Sequence, residues 1–393
     1  MKKKCLFLGL AMLLSMASAF AQSGTAGPLT WKFYNGKLTI SGEGAMPDYG
    51  DFNGDAPWRE YSWSIRTIVI ETGVTSIGNH AFYGCGVKSI TISNSVTSIG
   101  EYAFYACMEL TSITIPDGVI TIGRLAFSLC TSLTSVFIPN SVTDMGYKSF
   151  DFCKSLTSIT LSDEITSIGY ATFSYCENLV SITLPENLKN IGNQAFEHCT
   201  SLTSIIIPDR VKNIEKEAFR ECTSLTSLTL PAGLAAIGDD AFFACKNLNL
   251  ITNFNLIPID VYPTVFYGVD KSACTLEVAI NSVSAYKNAN TWKEFNIVGI
   301  EVGIETIEPD VVKIYPNPTD GQLKIENEKL NIENVEIYDV MGRKAPLNPP
   351  EGGRLPSFGG VGGGFDISHL PSGIYFIRIQ TETGTVTRKI VKK

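Results

Sequence analysis

"AFSLCTSLTSVFIPNSVTDMGYK" (residues 126–148) is followed directly by "SFDFCKSLTSITLSDEITSIGYA" (residues 149–171), which repeats it position by position. Self-similarity at a fixed period of 20–50 residues is the signature of a repeat architecture and overrides any reading of single segments. Eight cysteines mark the period: Cys85, Cys107, Cys130, Cys153, Cys176, Cys199, Cys222 and Cys245. The first interval is 22 residues and the next six are 23. A phenylalanine stands three residues before each, from Phe82 to Phe242.

Within a unit the apolar positions are equally regular. Leu110, Ile113 and Ile115 mark a strand, with Ser112 and Thr114 alternating to its other face. Ile122, Ala126, Phe127 and Cys130 are spaced as one face of a short helical turn. Each unit therefore reads as a short strand, a turn, and a helical or 3₁₀ segment on the return side. One unit cannot bury its own apolar face, but stacked units can, with Ile113 meeting Ile90 and Val136. At a strand spacing of ~4.8 Å, eight units form a body on the order of 40 Å long. Burying each phenylalanine adds ~1.5–3 kcal/mol, an upper bound because the unfolded chain already hides some surface. The expected fold is an α/β repeat solenoid. The glycine that follows the unit's second isoleucine, as at Gly78, Gly100 and Gly123, is expected to serve either a left-handed backbone or close packing. Glu215 breaks that column.

A solenoid needs caps at both ends. "LTWKFYNGKLTISGEG" (29–44) predicts a hairpin turning at Asn35-Gly36. "SVSAYKNANTWKEFNIV" (282–298) predicts an amphipathic closing helix carrying Tyr286, Trp292 and Phe295. Before the hairpin, "MKKKCLFLGLAMLLSMASAFAQ" has the basic start, apolar run and Ala-Phe-Ala site of a secretory signal cleaved before Gln22. After the solenoid, apolar alternation at 335–337, 374–379 and 385–391 between Gly, Pro and Asp turns reads as an all-β module. The expected division is a signal peptide over 1–21, a β cap over 22–64, the solenoid with its closing helix over 65–300, a linker over 301–310, and the β module over 311–393. No later stretch is long and apolar enough to span a bilayer. The formal charge of −8 argues against nucleic-acid or anionic-membrane partners.

The "SLTSITIP…VTSIG…AF..C" columns, with "GKLTISGEGAMPDY…APW" before them and "AYKNANTWKEF" after, resemble the BspA-type leucine-rich repeats of bacterial surface proteins over about residues 29–300. That resemblance implies a right-handed solenoid at a cell surface and a role in adhesion and recognition. "VVKIYPNPTDGQLKIEN", "VEIYDVMGRK" and "FDISHLPSGIYFIRIQTETGTVTRKIVKK" are similar to the type A C-terminal sorting domain of the type IX secretion system of Bacteroidetes. This implies an immunoglobulin-like β-sandwich that engages the secretion machinery. "APLNPPEGGRLPSFGGVGGG" (345–364) is longer than that family's usual connection and reads as a surface loop.

The chemistry legible in the sequence is sparse. Buried thiols acting as small apolar filler are the simplest reading of the cysteine column, with a disulfide ladder as the alternative. Zinc fits poorly, because a straight row cannot surround a metal tetrahedrally. Asp51, Asn53 and Asp55 open like a calcium loop, but Ala56 and Ser62 fall where glycine and glutamate belong, so a cap turn is the expectation. His80, His198 and His369 lie too far apart in the sequence for a catalytic arrangement, and no phosphate loop is present. Neither an enzyme nor a cofactor is expected.

Binding is left, on the exposed strand face. Its outward columns are mostly hydroxyls, and the candidate contacts are Ser112, Thr114, Ser135, Phe137, Ser158, Thr160, Thr183 and Ile206, with Phe137 and Ile206 replacing the usual threonine. Host or microbial surface proteins are the expected partners. Glycans are the alternative, although aromatic platforms are scarce on that face.

Overall fold

A computed structural model describes residues 21–50 and 54–300 and, between 312 and 392, the strands and one turn of a second unit. Residues 1–20, 51–53, 301–311 and 346–362 lie outside the described residues. With them go the signal segment, Asp51 and Asn53, the linker and the Pro/Gly-rich loop. The chain divides into two compact units at Ile300/Glu301.

The first unit is a β-solenoid of leucine-rich-repeat type, about ten turns of about 23 residues with few helices. One parallel ladder takes Thr67–Ile70, Ser89–Ile92, Ser112–Thr114, Ser135–Phe137 and Ser158–Thr160. In its register Ile90 faces Ile113, and Ile113 faces Val136. These residues are buried while Ser112, Thr114 and Phe137 point outward, the period-two alternation of a strand with one dry face. A second ladder of two-residue strands, including Ser98–Ile99, Thr121–Ile122 and Asp144–Met145, stacks beside it.

The return segment departs from expectation: it is not helical. From Gly78 to Cys85 the chain makes three successive tight turns, with the N–H groups of Ala81, Tyr83 and Cys85 donating to the carbonyls of Gly78, His80 and Phe82. The alternate N–H groups of His80, Phe82 and Gly84 cross instead to Glu101, Ala103 and Tyr105 of the next coil, each at 2.8 Å. An α-helix keeps its N–H groups for its own carbonyls and would leave none for the neighbour. The turn ribbon links every coil to the next at the cost of left-handed backbone at non-glycine residues, such as Leu125 (φ 54°) and Leu129 (φ 61°).

The phenylalanines from Phe82 to Phe266 form one stack, with ring centroids 5.1–5.8 Å apart. Trp58 stacks on Phe82 at 5.5 Å and closes one end. Trp292 and Phe295 meet Phe266 edge-on and close the other. The closing segment is less helical than expected. Its α-helix spans only Val283–Asn288, Thr291 at φ 65° interrupts it, and Trp292–Glu294 is a 3₁₀ turn. At the front, Leu29–Tyr34 and Lys37–Gly42 pair through Asn35-Gly36, both with positive φ, as the hairpin reading required. Gln22–Ala26 adds a further antiparallel strand.

The glycine column serves close packing. A Cβ on Gly123 would lie 2.6 Å from the Glu101 nitrogen and 2.6 Å from the Gly100 carbonyl carbon of the previous coil. Gly169 differs, since its nearest neighbour would be 3.5 Å away. There the second ladder breaks between Asp144–Met145 and Ser167–Ile168, and Phe150 and Phe173 are the widest pair of the stack at 5.8 Å. The alanine that follows the glycine by three positions is replaced in these two coils by Ser149 and Thr172, both buried. The bulkier side chains at the tightest point hold the two coils apart.

Among the described residues, the second unit has two antiparallel sheets, one of three strands and one of four. Leu323 of the first and Ile337, Ile377, Ile379 and Ile390 of the second share one apolar cluster.

Candidate functional site

The structure brings most of the strand-face candidates together. Ser112, Ser135 and Ser158 lie side by side in register, and Phe137 stands between Thr114 and Thr160. Phe137 is 55% exposed, far from the burial its size would favour. Thr183 is set apart, because residues 181–184 form no strand and the ladder is interrupted there. Ile206, 54% exposed, belongs to a separate sheet that begins at Ser204–Ile206.

The hydroxyls of this face divide into two classes. Those of Thr111, Thr134 and Thr157 donate to the Lys88, Thr111 and Thr134 carbonyls of the previous coil at 3.1–3.4 Å. Among the described hydrogen bonds, the side chains of Ser112, Thr114, Ser135, Ser158 and Thr160 make none. They stand exposed and available to a partner, each able both to donate and to accept.

The cysteine column has a role beyond filler. From Cys107 to Cys245 each thiol donates to the carbonyl of the phenylalanine in the preceding coil, as Cys107 does to Phe82 at 3.2 Å and Cys153 to Phe127 at 3.2 Å. All nine described cysteines are free. Burial drives their ionisation up, to about 11 for Cys85 and about 12 for Cys245, so none is a thiolate at neutral pH.

A second concavity lies away from the strand face, and sequence reasoning missed it. The bare glycines form the floor of a furrow of about 720 Å³ along Gly100, Gly123, Gly146 and Gly169. Tyr147 (44% exposed) and Tyr170 (43%) stand on its rim. The signal was present as the variable position after each glycine, which reads Asn79, Glu101, Arg124, Tyr147, Tyr170. The period places these side chains in one column, but without the turn-ribbon geometry nothing indicated that the column borders a furrow.

Residues 60–179 and 143–272 match the BspA type leucine rich repeat region, in six copies and together over more than half of the chain. The chain belongs to the BspA-type leucine-rich-repeat family. Residues 313–393 of this BspA-type protein match a secretion system C-terminal sorting domain. The chain is thus secreted or displayed at the cell surface, sorted through its C-terminal unit. No curated protein matches it. It is similar to a leucine-rich repeat protein from Bacteroides ovatus at 23% identity, covering 70% of this chain and 82% of that one, with a TM-score of 0.44. A leucine-rich repeat protein from Eubacterium ventriosum is 21% identical over 70% of this chain and 93% of its own, with a TM-score of 0.38. A leucine rich cell surface protein from Faecalibacterium prausnitzii is 22% identical over 71% and 99%, with a TM-score of 0.31. The comparisons find no enzyme family.

Proposed function

We propose that this cell-surface protein is a non-catalytic recognition module that adheres to macromolecules of host or neighbouring cells through its strand face. The observation that carries this reading is the row of unengaged hydroxyls at Ser112, Thr114, Ser135, Ser158 and Thr160 around the exposed ring of Phe137. A solvent-exposed aromatic ring ringed by adaptable hydroxyls is the composition of a binding hot spot, an apolar anchor inside a polar rim. Ile206 supplies a second apolar point three coils further on, ~14 Å away at the ordinary strand spacing. Partners would be surface or matrix proteins, and the C-terminal unit would engage the type IX secretion machinery on the way out.

The test is saturable binding of the full secreted chain to an array of host matrix proteins, with Phe137→Ser alongside. Loss of a hot-spot ring should weaken binding by ~2 kcal/mol or more, roughly thirtyfold. Because the ring is exposed, the melting temperature should not fall. Equal binding by both forms would remove the strand face from consideration.

A further inference from the structure

The glycine furrow and a second cavity meet at one residue, Arg124, which lines both. The second cavity, about 620 Å³, lies where the N-terminal cap abuts the turn ribbon, and Tyr49, Trp58, His80 and Tyr102 are among its walls. We propose that the two together form a binding site for a neutral oligosaccharide, with a sugar residue in the cavity and the chain continuing along the furrow.

Four observations converge on that class of ligand. Two wall residues of the cavity carry buried polar atoms with no hydrogen-bond partner, the Tyr49 hydroxyl and His80 Nδ1, and Tyr49 is itself 8% exposed. Unpaired buried polar groups are costly and mark a place where a ligand can supply what the fold does not. Arg124 is already positioned. Its Nε donates to Glu101 at 2.6 Å and its Nη1 to the Tyr147 hydroxyl at 2.9 Å, while its guanidinium lies 5.4 Å from the Tyr102 ring centre. Flat rings flank the path, with Tyr102 stacked on His80 at 4.7 Å and Tyr147 and Tyr170 open to solvent on the furrow rim. Finally, the lining carries no excess of positive charge: Arg59 and Arg124 stand against Asp55, Glu101 and Asp144, with Arg124 paired to Glu101. That balance disfavours an anionic ligand.

Sugar hydroxyls both donate and accept, which suits a tyrosine hydroxyl, a histidine nitrogen and an arginine–carboxylate pair at once. The C–H faces of a pyranose ring fit exposed tyrosine rings, whose negative faces attract polarised hydrogens. A peptide is a poorer match, because the strands along the floor are only two residues long, too short a template for an added strand even where Asp144–Met145 and Ser167–Ile168 present free edges. The inference is independent of the strand-face reading and concerns a different surface.

The experiment applies the full chain to an array carrying neutral oligosaccharides (gluco-, manno-, xylo- and galacto-configured), sialylated and sulfated glycans, and unstructured peptides. Hits are titrated calorimetrically. Neutral oligosaccharides should bind, the Tyr147→Ala/Tyr170→Ala double variant should lose about tenfold in affinity, and Tyr49→Phe several-fold. Tyr49→Phe removes only an unpaired hydroxyl, so it should melt no lower than the parent, which separates a binding role from a structural one. Phe137→Ser should leave glycan binding unchanged. Silence on every neutral oligosaccharide, preference for the anionic glycans or the peptides, or affinity within about twofold in both tyrosine variants overturns the proposal.

Discussion

At the scale of single residues, the repeat tolerates exceptions at an identifiable cost. Asp151 occupies a turn-ribbon position where the neighbouring coils place Ser128 and Ser174, and it is almost wholly buried. Burial raises its carboxyl to about 6, against the opposing pull of Lys148, 3.8 Å away, and of the Ser174 hydroxyl. The folded state therefore holds the Asp151 proton more tightly than the unfolded chain does. Its contribution to stability is fully present below about pH 4 and is lost as the pH rises through about 6. Asp151→Asn should raise the melting temperature at pH 7.5, by on the order of 1–3 kcal/mol in stability, and should converge with the parent at pH 4. Paired thermal melts at the two pH values measure this, and an Asn variant less stable at pH 7.5 would show that the Lys148 pairing outweighs desolvation. Such a residue was visible in the sequence only as a break in a column. Its burial was not.

At the scale of the element, the coil is held by edge contacts rather than by internal regularity. The Ile, Ala, Phe, Cys spacing fits a helical face, yet the segment is a ribbon of turns because its alternate N–H groups find better use in the next coil. Periodicity reports which residues face inward, and both conformations place these inward. The glycine column was legible as a requirement, and the structure selects close packing as its cause. Gly123→Ala forces a methyl to 2.6 Å from the Glu101 nitrogen and should destabilise by ~1–3 kcal/mol. Gly169→Ala meets nothing closer than 3.5 Å and should be neutral or stabilising by up to ~1 kcal/mol through the unfolded state. Denaturant melts of the pair test the reading that the coils part at Ser149 and Thr172. Equal losses would mean the gap closes in solution.

At the scale of the whole molecule, a stack of near-identical coils is most vulnerable at its ends. Trp58 seals one end, fully buried, with its Nε1 donating to the Ala81 carbonyl at 2.8 Å. Trp292 seals the other, with its Nε1 on the Ile259 carbonyl at 2.8 Å. Stability in such arrays is a sum of unit and nearest-neighbour terms. Trp58→Ala should therefore cost ~3–5 kcal/mol and act locally. Hydrogen exchange should quicken first over residues 67–92, while 204–230 stays protected. Uniform acceleration would show instead that the solenoid unfolds as one cooperative block.

The sequence by itself determined the period, the inward and outward columns, the N-terminal hairpin, and the pairing of a BspA-type repeat with a sorting domain. Each of these depends on residue identity recurring at a fixed spacing, and burial in a stack follows from that directly. Only the tertiary structure decided the turn ribbon, the parting of the coils at Gly169, the separation of Thr183 and Ile206 from the Phe137 ladder, and the furrow beside Tyr147 and Tyr170. These depend on which backbone groups meet across coils, and on whether a column of side chains borders a furrow or packs flat. Spacing along the chain does not encode that, because backbone conformation and inter-coil hydrogen bonding are settled together when the stack forms.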